Sequence, residues 1–160
     1  MQISLALNIC PERRHYMEDK VTKEILSWLG TKWRHMQAVK GHGVDCIQFP
    51  IAVARNLGWL TDNFKPIKYS RDWAAHNFDS ILLTEVIKVA KDLQIPKDEI
   101  IGNPKLLSGD IIMMAMERTV GHAGLYIGNN EFVHANIRRG VVRESLVVYK
   151  DKLHSVWRFQ

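Results

Sequence analysis

The sequence predicts an α+β fold, with helices in the first part of the chain and an antiparallel sheet of about five strands in the last part. Apolar residues recur at helical spacing in stretches before residue 94, among them Val21, Ile25, Leu26 and Leu29. After Gly109 the pattern changes to short alternating or continuously apolar runs, as strands require. Between two of those runs stands Gly128-Asn129-Asn130, residues that tolerate positive φ and mark a hairpin. The 160 residues, 46% apolar and 24% charged, suffice for one domain over 1–160 with a real core.

Each element follows from local signals. Residues 1–17 are read as an N-terminal arm, and Met1–Cys10 lacks the basic leader and small-residue cleavage site of a signal peptide. Glu18 to Leu29 forms the first helix, with Gly30 as its stop. Asp45 is the predicted N-cap of a second helix running to about Leu57, and Gln48 completes a capping-box pattern. Pro50 predicts a kink in its first turn. Residues 61–104 are a connection carrying one helix: irregular from 61 to 77, amphipathic from Ser80 to Leu93, then a loop at Asn103-Pro104. The strands are Asp110–Met116, His122–Ile127, Glu131–Asn136, Val141–Leu146 and Val156–Phe159.

Bulk properties narrow the function. No apolar run approaches the roughly 18 residues of a membrane-spanning helix, so no transmembrane segment is expected. A net charge of +5 and a pI near 9.3 favour anionic partners such as nucleic acid or cell-wall polymers. Scattered surface Lys and Arg account for that charge equally well, and Arg13-Arg14 and Arg138-Arg139 are too short for a nucleic-acid patch. Cys10 and Cys46 have no metal-ligand or framework spacing; a disulfide between them would silence Cys46 as a nucleophile.

Cys46, in Gly41-His42-Gly43-Val44-Asp45-Cys46, has two distant histidines to consider, His122 and His134. With a three-residue loop at 128–130, Gly124 faces His134, and both imidazoles share one face of the hairpin. A two-residue turn without a bulge would separate them. A helix N-terminus and a nearby imidazolium would both lower the Cys46 thiol from its ordinary pKa near 8.5. His122 would then act as base and later acid, His134 would orient it, and the Cys46 backbone N–H would donate to an oxyanion. Two other readings stay open on these residues alone. A small buried cysteine with two satisfied strand histidines is ordinary structure, and a Cys/His/His set is an incomplete metal site with no ligand spacing. His42 is read as a solvated loop histidine, and Asp110 as serving strand entry.

The wider pattern resembles a known family. Thr31, Asp45-Cys46 opening a helix, Gly109-Asp110 leading a strand, His122-Ala-Gly-Leu-Tyr-Ile-Gly and Phe132-Val-His134-Ala together resemble the NlpC-type cell-wall cysteine peptidases, from about residue 18 to 160. The run Gly30-Thr31-Lys32-Trp33-Arg34-His35-Met36-Gln37 and the segment Tyr69-Ser70-Arg71-Asp72-Trp73 look like the phage-type branch of that family, associated with tail genes and gene-transfer particles. The resemblance implies a papain-like fold, cleavage of peptidoglycan stem peptides, and Cys46, His122 and His134 as nucleophile, base and third polar residue. It implies no cofactor and no metal. Peptidoglycan peptides, and phage tail or particle proteins, are the implied partners; specific nucleic-acid binding is not. The sequence leaves the location open; carriage on a phage-like particle and a cytoplasmic place both agree with it.

Trp33, Asp45 and Ile47 are the implied substrate-cleft residues. Trp33 stands where the family often has Tyr, so its indole N–H takes the place of a hydroxyl donor. Ile47 and Gln48 replace a small pair such as Ser-Gly, and the bulky Ile47 is expected to narrow the cleft.

Overall fold

The computed structural model describes residues 11–116 and 118–160; Cys10, its disulfide expectation and the reading of the first ten residues lie outside them. Helix α1 runs from Pro11 to Leu26, so it begins inside what the sequence suggests is an arm. Its Val21 and Ile25, one turn apart, are buried in the main core. A two-stranded ribbon, β1 (Ala38–Val39) with β2 (Gly43–Val44), then forms within the glycine-rich loop. It leads directly into the turn that carries Cys46.

Helix α2 spans Gln48–Asn56, shorter at its start than expected. Asp45 still caps it, because its Oδ1 accepts from the backbone N–H groups of Ile47 (3.1 Å) and Gln48 (2.8 Å). The capping box does not close, since the Gln48 side chain donates to Tyr69 Oη instead. Pro50 falls in the first turn of α2, where a missing N–H costs least. The connection holds a short helix, α3 (Trp73–His76), where only irregular chain is expected.

Helix α4 is Ile81–Val86, capped by Ser80 Oγ accepting from Leu83 N–H at 3.1 Å. It ends well before Leu93. Lys88 and Val89 donate to Glu85 and Val86, i→i+3 bonds that tighten the last turn, and Ala90–Asp92 becomes strand β3. The edge of the last strand offers these residues a backbone ladder, and that tertiary pairing overrides their helical period.

The remaining strands are β4 (Ile111–Met116), β5 (Thr119–Gly128), β6 (Glu131–Asn136), β7 (Gly140–Ser145) and β8 (Leu153–Phe159). They form one antiparallel sheet of six strands in the order β3-β8-β4-β5-β6-β7. Ala123, Leu125, Val133 and Ala135 project toward α1, α2 and α4, while Tyr126, Phe132, Ile112 and Val156 pack on the other face with Ile95, Ile100 and Leu146. Leu125, Val133 and Phe132 are each fully buried, worth about 1.5–3 kcal/mol apiece. Both faces of the sheet are therefore covered.

The histidine hairpin reaches the expected register by another route. Asn129 (φ 52°) and Asn130 (φ 58°) make a two-residue turn, and Gly128 (φ 95°) pairs with Glu131. Ile127 is the extra residue of a bulge between Tyr126 and Gly128, and it restores Gly124 opposite His134. A Cβ on Gly124 would lie 2.6 Å from the Phe132 ring and 3.0 Å from His134 Cβ, so only glycine leaves room there for the aromatic pair.

Candidate active site

A cleft of about 500 Å³ opens where the Cys46 turn, the α3 segment, the first half of β5 and the end of β6 converge. Cys46, His122, His134, Trp33, Asp45 and Ile47 all line it. The thiol lies against β5. Its Sγ sits 3.9 Å from the Gly121 carbonyl, with the backbone N–H groups of Ala123 and of Cys46 itself near enough to favour a thiolate. Those contacts flank His122 on both sides. Gly121 is itself the bulged residue of β5 against β4, and a Cβ on it would come within 2.7 Å of Ala74 Cβ. That close approach lets α3 close over the strand beside the cysteine.

The two imidazoles meet. His122 Nε2 and His134 Nδ1 are 2.7 Å apart, with their rings nearly perpendicular. His134 is buried, stacked on Phe132 at 4.6 Å between centroids. Its Nε2 is 2.9 Å from Glu144 Oε1. The same oxygen accepts from the Arg139 guanidinium and, at 3.0 Å, from Tyr149 Oη. Glu144 escapes a motif search, yet its signal is present: it lies two residues beyond the position opposite His134 and shares its face.

Electrostatics differ from expectation. Burial, with the Asp45 carboxylate alongside, pushes the Cys46 thiol up to about 12, outweighing the backbone N–H groups that favour a thiolate. Burial, and then the neighbouring His134, bring His122 down to about 3. Burial also lowers His134, although Glu144 opposes it. Both shifts favour the neutral thiol and the neutral imidazole over the ion pair that the sequence suggests. The α-helix proper starts at Gln48, leaving Cys46 in the preceding turn next to a carboxylate. For Glu144, burial raises the carboxyl, but hydrogen bonds from His134, Arg139 and Tyr149 prevail and hold it below its ordinary value.

Asp45 is buried, and its carboxylate is fully engaged. Besides the two cap bonds, Oδ2 accepts from Met36 N–H at 2.7 Å and Tyr69 Oη at 2.8 Å. It ties the ribbon, the Cys46 turn and the connection together. Trp33 stacks near His35 (6.5 Å), carries the Arg71 guanidinium 5.4 Å above its ring, and bridges to Val44. His35 in turn lies edge-on to Tyr69 at 5.4 Å, so an aromatic wall lines one side of the cleft. His35 has no visible partner in the sequence. Ile47 is buried and shared between the cleft wall and the helix-side core.

Residues outside the site behave as read: His42 is exposed, and Asp110 receives a bidentate bond from Arg158 at 2.7 and 2.8 Å. Among the described residues, no group of three or more His, Cys, Asp or Glu is arranged to hold a metal ion. Nor, among them, is any helix long and apolar enough to cross a membrane.

A profile of the NlpC/P60 family matches residues 30–158. The chain belongs to the NlpC/P60 family. Its relatives include the Escherichia coli K12 protein called "Probable endopeptidase NlpC", 30% identical over 126 residues, which cover 77% of this chain and 64% of that protein. A shorter match, 39% identical over 46 residues, covers 29% of this chain and 24% of the E. coli K12 protein "Murein DD-endopeptidase MepS/Murein LD-carboxypeptidase". The match thus spans less than two thirds of either relative. Among solved structures, NlpC2 from Trichomonas vaginalis superposes with a TM-score of 0.60 at 17% identity, over 89% of this chain and 46% of that one. The NlpC/p60 domain of the peptidoglycan hydrolase SagA gives 0.52 at 11% identity, over 89% and 98%. At those identities the structures establish the shared fold: an NlpC/P60 α+β domain with an antiparallel sheet.

Proposed function

We propose that this NlpC/P60 chain is a cysteine peptidase that hydrolyses peptide stems of bacterial peptidoglycan. The observation that carries the reading is the 2.7 Å contact between His122 Nε2 and His134 Nδ1 in the cleft that also holds Cys46. With Nε2 committed to His134, His122 Nδ1 is the nitrogen left for the thiol. As a substrate carbonyl enters, the Sγ proton passes to His122 Nδ1 while sulfur attacks the carbonyl carbon. The oxyanion gathers hydrogen bonds from the Cys46 backbone N–H and the Trp33 indole. Collapse returns the proton from His122 to the leaving amine and leaves a thioester, which water hydrolyses by the same proton path. The aromatic wall and Ile47 contact the peptide, while Asp45 keeps the cysteine turn in place.

The names of the two E. coli relatives, an endopeptidase and a murein hydrolase, support a wall peptide as substrate. The run Gly30–Gln37 and the Tyr69–Trp73 segment support a phage-like, particle-associated setting. A second reading, a non-catalytic assembly or adaptor protein on the same fold, draws support from the raised thiol and from Ile47 in the cleft wall. Purified protein incubated with defined muropeptides and followed by mass spectrometry separates the two. Cleavage within the stem peptide is expected; release of the whole stem from its sugar would make the protein an amidase instead. No cleavage across several stem types would favour the adaptor.

A further inference from the structure

We propose that Glu144 is a positioning residue that fixes the tautomers of both site histidines, and so decides which nitrogen of His122 serves Cys46. The inference deepens the peptidase reading and rests on it for the activity consequence alone. A carboxylate held below its ordinary pKa is an acceptor only. Its Oε1, 2.9 Å from His134 Nε2, therefore requires the proton of neutral His134 on Nε2. His134 Nδ1 is then a lone pair, and the 2.7 Å contact requires His122 to donate from Nε2. His122 Nδ1 is left unprotonated, as a base toward the cysteine must be. One carboxylate oxygen thus sets a proton order across two rings.

Surrounding groups keep that carboxylate in place. Arg139 and Tyr149 both donate to the same Oε1, and Tyr149 also stands edge-on to His134 at 5.5 Å. Phe132 stacks on the imidazole face and itself meets Tyr149 edge-on at 5.4 Å, so the His134 ring is held in one packed aromatic trio. When His122 accepts the thiol proton, both of its nitrogens carry hydrogen. The Nε2–H bond to His134 is unbroken, and the Glu144 charge favours the imidazolium through it. No proton need reach Glu144.

The test is long-range ¹H–¹⁵N NMR of the full chain with ¹⁵N-labelled histidine at neutral pH, assigned with His122→Gln and His134→Gln. Wild type is expected to show a protonated Nε2 and an unprotonated Nδ1 on both residues. Glu144→Leu should leave His134 a mixture of tautomers and reduce muropeptide turnover by about 10²–10⁴-fold, the scale of a misassigned catalytic tautomer. Glu144→Gln, whose Oε1 can take over the three hydrogen bonds without the charge, should keep the Nε2–H forms and lose less activity. A wild-type His134 protonated on Nδ1, or unchanged tautomers in Glu144→Leu, would overturn the assignment. The wild-type spectrum decides even if the leucine variant fails to fold, and it is independent of whether any muropeptide is cleaved.

Discussion

At the scale of single residues, Cys46 shows how a local rule can point the wrong way. A helix N-terminus lowers a thiol only when the sulfur meets the helix's free N–H groups and no competing charge. Here Asp45 uses those of Ile47 and Gln48 for its own cap, and its charge raises the thiol together with burial. The sign of the pH dependence follows. With the pKa pushed up to about 12, the thiolate fraction at neutral pH is far smaller than for a free cysteine near 8.5. In a Cys10→Ser background, iodoacetamide labelling of Cys46 should stay slow through pH 7 and rise only above the free-thiol midpoint. His122→Ala should barely move that profile, because a neutral resting imidazole gives no charge to lose. A midpoint below pH 7 that climbs in His122→Ala would restore the ion pair and contradict this account. The roles of Tyr69 and His35 were not legible at this scale, because each gains its role only from a partner far along the chain.

At the scale of elements, the hairpin has the expected register, reached through a bulge at Ile127 and not through the three-residue loop. Side-chain alternation and glycine opposite histidine were enough to pair Gly124 with His134. The choice between a three-residue loop and a two-residue turn with a bulge depends on backbone geometry at Ile127, which composition does not specify. The two mechanisms predict different responses to length changes. Deleting Ile127 removes the bulge and leaves a regular two-residue hairpin in the same register, so His122 and His134 stay on one face. That variant should fold and keep muropeptide cleavage, at a cost on the order of 1 kcal/mol for the lost apolar contact, read by thermal unfolding. Inserting one alanine between Ala123 and Gly124 shifts the first half of β5, His122 included, by one residue against β6 and turns His122 to the other face. Activity should then fall below detection. Equal losses in the two variants would contradict the bulge account. The helix expected to reach Leu93 failed for a related reason: an open strand edge at β8 recruited Ala90–Asp92, and no local pattern reveals an edge.

At the scale of the whole molecule, the order of helices before sheet was legible because helical and strand periods occupy separate parts of the chain. The second core, built on Ile100, Leu106, Leu146 and Val156, was not, since those residues lie in loops and strand ends that read as connections. Its consequence is functional. It buries Phe132 and the face on which His134 stacks, while the helix-side core holds Val44 and Ile47 on either side of the cysteine turn. The cleft lies where those two cores meet across the start of β5. The central claim is that Cys46 carries the acyl group of a wall peptide. Intact-mass spectrometry of wild-type protein, acid-quenched during turnover of a defined muropeptide, tests it most directly. The account predicts an adduct equal in mass to the acyl half of the substrate, mapped to Cys46 and absent from Cys46→Ala, which should also cleave nothing. Cleavage that persists in Cys46→Ala would contradict it.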